Sequence, residues 1–460
     1  MIFAIVLRYN RSMTPKHFLT YSLKNSLYGP KITRILSAAI QAVEPGAAVT
    51  RFLRREGDTL FVNGRPYQEF ERVFLVGAGK ASVPMAEAVF NILGDKLTKG
   101  VVITKTGQAG GETSIGPVEL LEAGHPLPTL AGVAGGRRMA SLLAQAGKND
   151  LVLVVISGGG SALLTQPVVS LDDLRTLTDQ LLACGATIHE INTLRKHLDA
   201  VKGGGLARLA SPARTATLIL SDVVGNLLDI IASGPTAPDL STFTDVQAIV
   251  RKFGLWETIP SAIRAHLEQG LAGEIPDTPK PGDPLFDRVQ NVLVGSNELA
   301  ANAAREEAKL EGFRAEVVKT DMQGEAKDIG YWILDREYSV VRPACLIFGG
   351  ETTVMLGGSM ADVGKGGRNQ EMALATVRKL AEIPNAMFVT LATDGGDGPT
   401  DAAGAVVTDE TLSRAEVAGL NPDDFLARHD AYHFFDPLGD LLRPGPTQTN
   451  VNDLAFLFLS

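Results

Sequence analysis

Three consecutive glycines one residue after an apolar strand pattern constrain this chain more than any other feature. The strand pattern Leu151–Ile156 contains only Leu, Val and Ile, as expected for a strand in a parallel sheet that is covered on both faces. Glycines leave backbone N–H groups open to close approach, which suits an anion, whereas a tight turn alone needs only one glycine. We therefore expect five residues to contact a bound ligand: Ser157, Gly158, Gly159, Gly160 and Ser161.

Three further apolar runs end in glycine-rich turns that carry a polar side chain. These turns are Gly77–Ser82, Gly349–Thr353 and Thr393–Gly398. Four such strand ends in one chain favour a ligand-binding cleft at the carboxyl ends of parallel strands. The turns supply five further candidate residues: Gly77, Gly79, Lys80, Glu351 and Asp394.

The order of the strand and helix patterns predicts the fold class. With 460 residues the chain exceeds one ordinary core, so two domains are expected. Strands alternate with helical stretches such as Leu171–Ala183, which predicts βαβ units in a largely parallel, Rossmann-like sheet. A Pro-rich and Gly-rich stretch at 272–287 reads as an exposed connection. We expect two α/β domains, the C-terminal one smaller, with the active site in the cleft between them.

The predicted division of the chain has three parts. Residues 1–30 form a leader of uncertain status, 31–280 an N-terminal α/β domain, and 288–460 a C-terminal α/β domain. The apolar start Met1–Leu7 is too short to span a bilayer and lacks the charged region and cleavage site of a signal peptide. Met13 is an equally good start for the protein.

Composition excludes several classes of partner. A net charge of −9 argues against a broad nucleic-acid surface, although a local basic cleft could still hold an acidic substrate. The chain contains 45% hydrophobic and 21% charged residues, as in ordinary soluble enzymes, and no membrane partner is expected. The two cysteines, Cys184 and Cys345, form no metal-binding spacing or disulfide framework, which favours the cytoplasm.

Lys80 lies in a strand–glycine–helix turn where two nucleotide-binding motifs could be considered. The P-loop does not fit, because Phe74 stands where its first glycine belongs and Ala81 replaces the required Ser or Thr. A dinucleotide fingerprint is incomplete, because Ser82 holds the third glycine position. Lys105, after the next strand, could accommodate a 2′-phosphate, so an NADP-linked oxidoreductase stays open as an alternative. The turn favours a phosphate or substrate contact for Lys80 over a solvated side chain.

Three other charged residues are candidates for chemistry. Arg368 begins a helical pattern after several glycines, and a guanidinium beside free backbone donors suits a transferring phosphoryl group. Asp222 follows a buried strand and could accept a hydroxyl proton or bind Mg²⁺, or equally cap the next helix. Asp394 belongs to a glycine-rich run of aspartates that could bind a hard cation or only form turns. Lys365 is expected to be solvated.

Two further segments carry polar residues of interest. Asn192 and Arg195 lie where a loop enters a helix, and Arg195 with Lys196 gives local positive charge for a carboxylate ligand. His125 precedes a rigid Pro-Leu-Pro run. A histidine in such a place is more often structural than catalytic, although it could contact a substrate.

Taken together, nine stretches of the chain resemble the glycerate 2-kinases of the two-domain type with a C-terminal MOFRL domain. The resemblance runs from about residue 31 to the C-terminus. It rests on these stretches: 77–82, 125–128, 157–163, 192–197, 221–225, 233–236, 349–354, 364–371 and 393–401.

The resemblance implies ATP-dependent phosphorylation of D-glycerate to 2-phosphoglycerate, with Mg²⁺, by a cytoplasmic enzyme that could form a homodimer. The essential Lys and Arg of the family carry over to Lys80 and Arg368, and Asp222 matches a strand-end aspartate assigned as base or metal ligand. Asn226 stands where the family often has Asp, which weakens a metal role at that position. Many relatives are labelled hydroxypyruvate reductase, so an NAD(P)H-dependent reductase is the main alternative, and a ligand-binding protein without activity is a third.

Overall fold

The computed structural model describes residues 13–335, 340–357 and 363–460. The strands are β1 (Leu53–Glu56), β2 (Thr59–Val62), β3 (Arg65–Tyr67), β4 (Val73–Ala78), β5 (Leu97–Lys105), β6 (Ser114–Ile115), β7 (Val118–Ala123), β8 (Leu151–Ile156), β9 (Arg214–Leu220), β10 (Val289–Gly295), β11 (Arg314–Glu325), β12 (Ala344–Thr353), β13 (Ala386–Ala392), β14 (Gly404–Thr408), β15 (Leu441–Leu442) and β16 (Asp453–Leu459). The α-helices are α1 (Tyr21–Asn25), α2 (Gly29–Gln41), α3 (Pro45–Phe52), α4 (Ser82–Leu93), α5 (Leu130–Leu143), α6 (Gly160–Leu163), α7 (Leu171–Ala183), α8 (Ile188–His197), α9 (Gly205–Ala210), α10 (Phe243–Lys252), α11 (Ser261–Leu271), α12 (Asn297–Leu310), α13 (Ala326–Asp335), α14 (Arg368–Leu380), α15 (Thr411–Val417), α16 (Pro422–Ala427) and α17 (Ala431–Phe435).

The chain divides into two compact units. The parallel-sheet unit consists of residues 45–221 and 226–294, and the mixed-sheet unit consists of the described residues among 1–44, 222–225 and 295–460. Helix α2 falls in the mixed-sheet unit because it packs along α12. The domain bounds inferred from the sequence, 31–280 and 288–460, stay a prediction.

The parallel-sheet unit contains the sheet expected for the N-terminal part of the chain. Its strand order is β10-β9-β8-β4-β5-β7-β6. The β9–β8, β8–β4, β4–β5 and β5–β7 pairs are parallel, whereas β6 runs antiparallel to β7. Ala78 pairs with both Ile156 and Ile103, and Lys105 pairs with Ala123. The carboxyl ends of β8, β4, β5 and β7 therefore meet at one edge of the sheet, which confirms the expected parallel α/β fold.

The mixed-sheet unit has a different pattern of strand directions. Its order is β11-β12-β16-β13-β14-β15, and only the β11–β12 pair is parallel among the pairs described. Strand β16 runs antiparallel to both β12 and β13, so these two strands point the same way on either side of it. Asp453, the first residue of β16, pairs with Gly350 and with Ala392. The start of β16 therefore lies between the carboxyl ends of β12 and β13.

The segment at 13–28, part of the predicted leader, packs within the mixed-sheet unit. Phe18 is fully buried. The amide and hydroxyl of Ser22 both donate to the buried carboxylate of Asp440, each at 2.8 Å, and Arg414 pairs with the same carboxylate at 2.7 Å. Met1–Leu7, which the sequence suggests is neither a membrane span nor a signal peptide, lies outside the described residues.

One predicted helix is two helices in the structure. The apolar spacing from Ile32 to Leu53 suggests a single amphipathic helix, but α2 ends at Gln41 and α3 begins at Pro45. Proline lacks the N–H that a continuing helix needs, and its fixed φ suits the first turn of a new helix. Among the described residues, none of the helices is both long and apolar enough to cross a lipid bilayer.

Candidate functional site

The ends of four parallel strands bring several predicted residues together in the parallel-sheet unit. We call this group the glycine edge and define it by residues at or just after the carboxyl ends of β4, β5, β7 and β8: Gly79–Ala81, Lys105, His125 and Ser157–Ser161. The amide of Lys80 donates to the carbonyl of Gly158 at 2.9 Å, and the amide of Ala81 donates to Oγ of Ser157 at 2.9 Å. The two glycine turns are therefore fixed against each other.

Gly159 occupies a tightly packed position at the glycine edge. Its φ of 82° lies in the left-handed region, where side chains are strained. A Cβ atom here would lie 2.9 Å from Cδ2 of His125 and 3.3 Å from Cγ of Lys80. The backbone of this turn is thus approached by both side chains, which explains why the position needs glycine.

Two of the predicted ligand contacts also have structural roles. Gly77 lies inside β4 and is buried, and a Cβ atom there would lie 2.2 Å from Cγ2 of Val155 on the neighbouring strand. Ser157 is only 1% exposed, and its hydroxyl accepts the Ala81 amide. The sequence pattern did not separate a glycine required by sheet packing from one that opens a ligand site.

Ser161 and the short helix α6 are supported by a buried lysine. The hydroxyls of Ser161 and Ser233 lie 2.5 Å apart. Nζ of Lys202 donates to the carbonyls of Ser161 and Leu164 at 2.8 and 2.7 Å, and Asp199 lies 3.6 Å away. Burial is the main cause of the lowered pKa of Lys202. The buried Lys202 amine therefore holds the carbonyls of α6 and of the residue that follows it.

Asn192 and Arg195 lie on α8, as predicted, but the sequence did not show how α8 is held. The helix begins with a capping box between Thr187 and Glu190. Lys196 is buried and pairs with Asp229 at 3.1 Å and Asp239 at 3.2 Å. Asn192 is buried, and burial lowers the pKa of Arg195. These contacts fix α8 within the parallel-sheet unit.

In the mixed-sheet unit, Arg368 is held by two carboxylates. Its Nη1 donates to Oε1 of Glu351 at 2.8 Å, and its Nε lies 2.6 Å from Oδ2 of Asp453. Burial lowers the pKa of Arg368, but the charges of Asp453 and Glu351 outweigh that effect and raise it above its ordinary value. The guanidinium therefore stays cationic and oriented at the ends of β12 and β16.

Asp453 is a site residue that the sequence reasoning missed. It is 3% exposed, and burial raises its pKa to about 7, although the charge of Arg368 acts in the opposite direction. The glycine-rich turns predict functional residues at the carboxyl ends of strands, whereas Asp453 begins a strand. An acidic residue directly before the apolar run Leu454–Leu459 was the available signal.

The backbone donors expected beside Arg368 are partly occupied. Asp397 accepts hydrogen bonds from the amide of Asn369 at 3.1 Å and from the amide of Gln370 at 2.9 Å. Burial is the main cause of the raised pKa of Asp397. Asp397 therefore caps the N-terminus of α14, and an anion at this helix would have to use the preceding glycine loop.

An open pocket of about 750 Å³ lies beside Arg368 within the mixed-sheet unit. Its volume is within the range of small-molecule sites. Buried Glu371 pairs with Nδ1 of His429 at 2.9 Å on its wall. The exposed Asp394 also borders the pocket. Lys365, which we expected to be solvated, instead lies 3.8 Å from the centre of the Tyr432 ring.

The predicted metal ligands have different environments. Asp222 is half-buried and follows Ser221 after β9, whereas Asp394 accepts the Gly396 amide at 3.1 Å in a local turn. No cluster of three or more His, Cys, Asp or Glu suited to a metal is found in the part of the chain that the structure describes. The metal roles of both aspartates stay predictions.

Both units are α/β folds with glycine-rich turns at the ends of their strands. This arrangement is typical of α/β enzymes, which bind ligands at such strand ends. The family DUF4147, described as a domain of unknown function, matches residues 31–268, and the MOFRL family matches residues 344–453. The chain therefore belongs to the family that combines these two domains, and curated relatives 40% and 41% identical over more than nine-tenths of the chain identify this family as the glycerate 2-kinases.

The similarity extends over most of the chain. A glycerate 2-kinase from Pyrococcus horikoshii is 40% identical over 93% of this chain and 96% of its own length. A protein from Agrobacterium vitis, provisionally named a hydroxypyruvate reductase, is 38% identical over 93% of this chain and 94% of its own length. The crystal structure of a glycerate kinase from Thermotoga maritima is 38% identical, has a TM-score of 0.83, and covers 93% of this chain and 98% of that one.

Proposed function

We propose that the protein transfers the γ-phosphoryl group of ATP to D-glycerate and forms 2-phosphoglycerate. The observation that carries this proposal is the 40% identity to a glycerate 2-kinase over 93% of the chain. The glycine edge and the Arg368 pocket provide cations and backbone donors that suit the anionic substrates.

The reaction requires charge stabilisation more than covalent chemistry by the protein. The glycerate O2 oxygen forms a bond to the γ-phosphorus, the bond from that phosphorus to the bridging oxygen of ADP breaks, and the hydroxyl proton leaves. We assign Lys80 and the amides of the glycine turns to the phosphate oxygens. Arg368, oriented by Glu351 and Asp453, would neutralise charge that develops in the transition state.

Several finer assignments belong to this proposal. MgATP is the phosphoryl donor, and Asp222 and Asp394 are the candidate ligands of its magnesium ion, which commonly binds through one or two carboxylates plus phosphate oxygens. Asn192 and Arg195 are assigned to the substrate carboxylate.

Cys184 and Cys345 are both free thiols, which fits a reducing cytoplasm. A homodimer would be tested by light scattering.

The deciding experiment measures ADP release from MgATP with purified protein and D-glycerate. L-glycerate and related hydroxy acids serve as comparison substrates, and ³¹P NMR separates the 2-phospho from the 3-phospho product. We expect ADP release that depends on D-glycerate and yields the 2-phospho product. ATP turnover that is unaffected by any hydroxy acid would overturn the proposal.

The two alternatives predict different results in simple assays. A hydroxypyruvate reductase would oxidise NADH or NADPH with hydroxypyruvate in the absence of ATP, which is followed by absorbance. A binding protein would bind glycerate in calorimetry without releasing ADP. The buried Ser82 hydroxyl donates to the carbonyls of Gly79 and Ile103, so the position of the third glycine in a dinucleotide fingerprint has a structural role here.

A further inference from the structure

His125 lies at the glycine edge, in a loop that is fixed close to it. β7 ends at Ala123, and the amide of the next residue, Gly124, donates to Oγ1 of Thr129 at 3.1 Å. Arg175 from α7 donates to the carbonyl of Pro128 at 2.8 Å. The imidazole is therefore carried on a loop with defined anchors, two strands away from β4.

The imidazole faces the same glycine turn as Lys80. A Cβ atom at Gly159 would lie 3.1 Å from Nε2 of His125 and 3.3 Å from Cγ of Lys80. Among the described residues, the His125 side chain has no hydrogen-bond partner. A half-buried imidazole beside a lysine and a glycine turn thus has its hydrogen-bonding capacity left for a ligand.

The charges around His125 favour its neutral form. Burial is the first cause of its lowered pKa, and the positive charges of Lys80 and Lys105 are the next. Arg175 is a further cation near its loop, and Glu122, on β7, is the nearest acidic residue in sequence. A neutral imidazole has one ring nitrogen that can accept a proton.

We propose that His125 is a further catalytic residue, whose imidazole accepts the proton of the substrate hydroxyl that becomes phosphorylated. This inference rests on the proposed kinase function. As the oxygen bonds to the γ-phosphorus, its proton passes to the imidazole, and ADP departs with the electrons of the broken phosphorus–oxygen bond. The neighbouring Lys80 charge disfavours the imidazolium, so the proton is then released to water. Asp222 would in that case serve the metal ion rather than the hydroxyl.

The test compares His125→Gln with His189→Gln in the ADP-release assay. His189 is exposed on α8, and its replacement serves as the matched histidine control with wild-type rates. For His125→Gln we expect kcat to fall about 100-fold, the size typical of general-base catalysis, with KM within about threefold of wild type. The fall of kcat/KM at acidic pH in the wild type should be absent in this variant.

A second variant distinguishes proton transfer from loss of structure. His125→Ala should regain at least about tenfold in rate with added imidazole, because a free base can enter the space. A raised KM with unchanged kcat, or no rescue in a variant with wild-type melting temperature, would overturn the inference. No ADP release by the wild-type protein would remove the proposed function, and this inference with it. An active wild type with an equally active His125→Gln would remove the inference alone.

Discussion

Arg368 and Asp453 form an ion pair at the meeting point of three strands, with Nε 2.6 Å from Oδ2. The arginine begins α14 and the aspartate begins β16, 85 residues later in the chain. Glu351, from β12, binds the other side of the guanidinium at 2.8 Å. Two carboxylates therefore fix one cation, and the more buried carboxylate is held at a pKa near neutrality.

The raised pKa of Asp453 predicts that the carboxylate destabilises the fold as it ionises. The pKa rises from 3.8 to about 7 on folding, so the folded state binds the extra proton between these values and loses stability as pH rises from about 4 to about 7. The melting-temperature difference between Asp453→Asn and wild type should therefore shift in favour of the variant as pH rises through that window. Calorimetry at pH 4 to 8 measures it.

The same variant should lose activity, because Arg368 without the Asp453 carboxylate is oriented less well. Glu351→Gln is the control for the stability measurement. The Glu351 side chain is 43% exposed, so this replacement should change stability by less than about 1 kcal/mol. A melting-temperature difference between Asp453→Asn and wild type that is independent of pH would contradict the role of this carboxyl group.

Lys80 and Arg368 are expected to act on the same transition state. Each alanine variant should lower kcat by about 100-fold, the loss seen when one charge-stabilising group is removed. Groups that act as a unit are not additive, so the double variant should lose far less than the product of the single losses. Steady-state ADP release by the wild type, the two single variants and the double variant provides the four rates of this double-mutant cycle.

Arg378→Ala is the matched control for the arginine, because Arg378 is exposed on the same helix and pairs with the exposed Asp423 and Asn421. Its kcat should equal that of the wild type. Unchanged kcat in both Lys80→Ala and Arg368→Ala would exclude the mechanism.

Gly159→Ala should impair catalysis through contacts and not only through backbone strain. The new Cβ atom would press on His125 and Lys80, so kcat should fall at least about tenfold, and stability should fall by about 2 kcal/mol. Gly185→Ala is the control, because Gly185 has a similar φ of 75° with open space around it. It should lose about 1 kcal/mol and keep full activity. Equal activity losses would show that strain alone is responsible.

Asp397→Ala should destabilise the mixed-sheet unit by about 2 kcal/mol, because it removes the cap of α14 and leaves buried amides of Asn369 and Gln370 without an acceptor. Urea denaturation measures this loss. Asp394→Ala, in the same glycine-rich loop, is exposed and should change stability by no more than about 0.5 kcal/mol. A similar loss in both variants would argue against the cap.

Removal of a magnesium ligand should show in the metal dependence of the rate. Asp222→Asn and Asp394→Asn are each expected to raise the Mg²⁺ concentration for half-maximal ADP release by about tenfold. Asp401→Asn is the control, because Asp401 bonds to Tyr432 and Arg443 instead. If the Mg²⁺ titration of a variant is unaltered, the aspartate replaced in that variant is not a ligand of the metal ion.

The sequence by itself determined the parallel sheet, the glycine turns at its edge and the candidate roles of Lys80 and Arg368. Apolar runs that end in glycine are local signals, because strand burial and tight turns depend mainly on residues that are adjacent in the sequence. The family followed from the order of these motifs along the chain.

Only the tertiary structure decided which polar groups meet. Asp453 reaches Arg368 because β16 runs antiparallel between β12 and β13, and His125 reaches Gly159 and Lys80 because β7, β5, β4 and β8 end at one edge. Strand order and direction depend on pairing between distant segments, so no local pattern contains them. For the same reason Asp397 could not be identified from its own loop as the cap of α14.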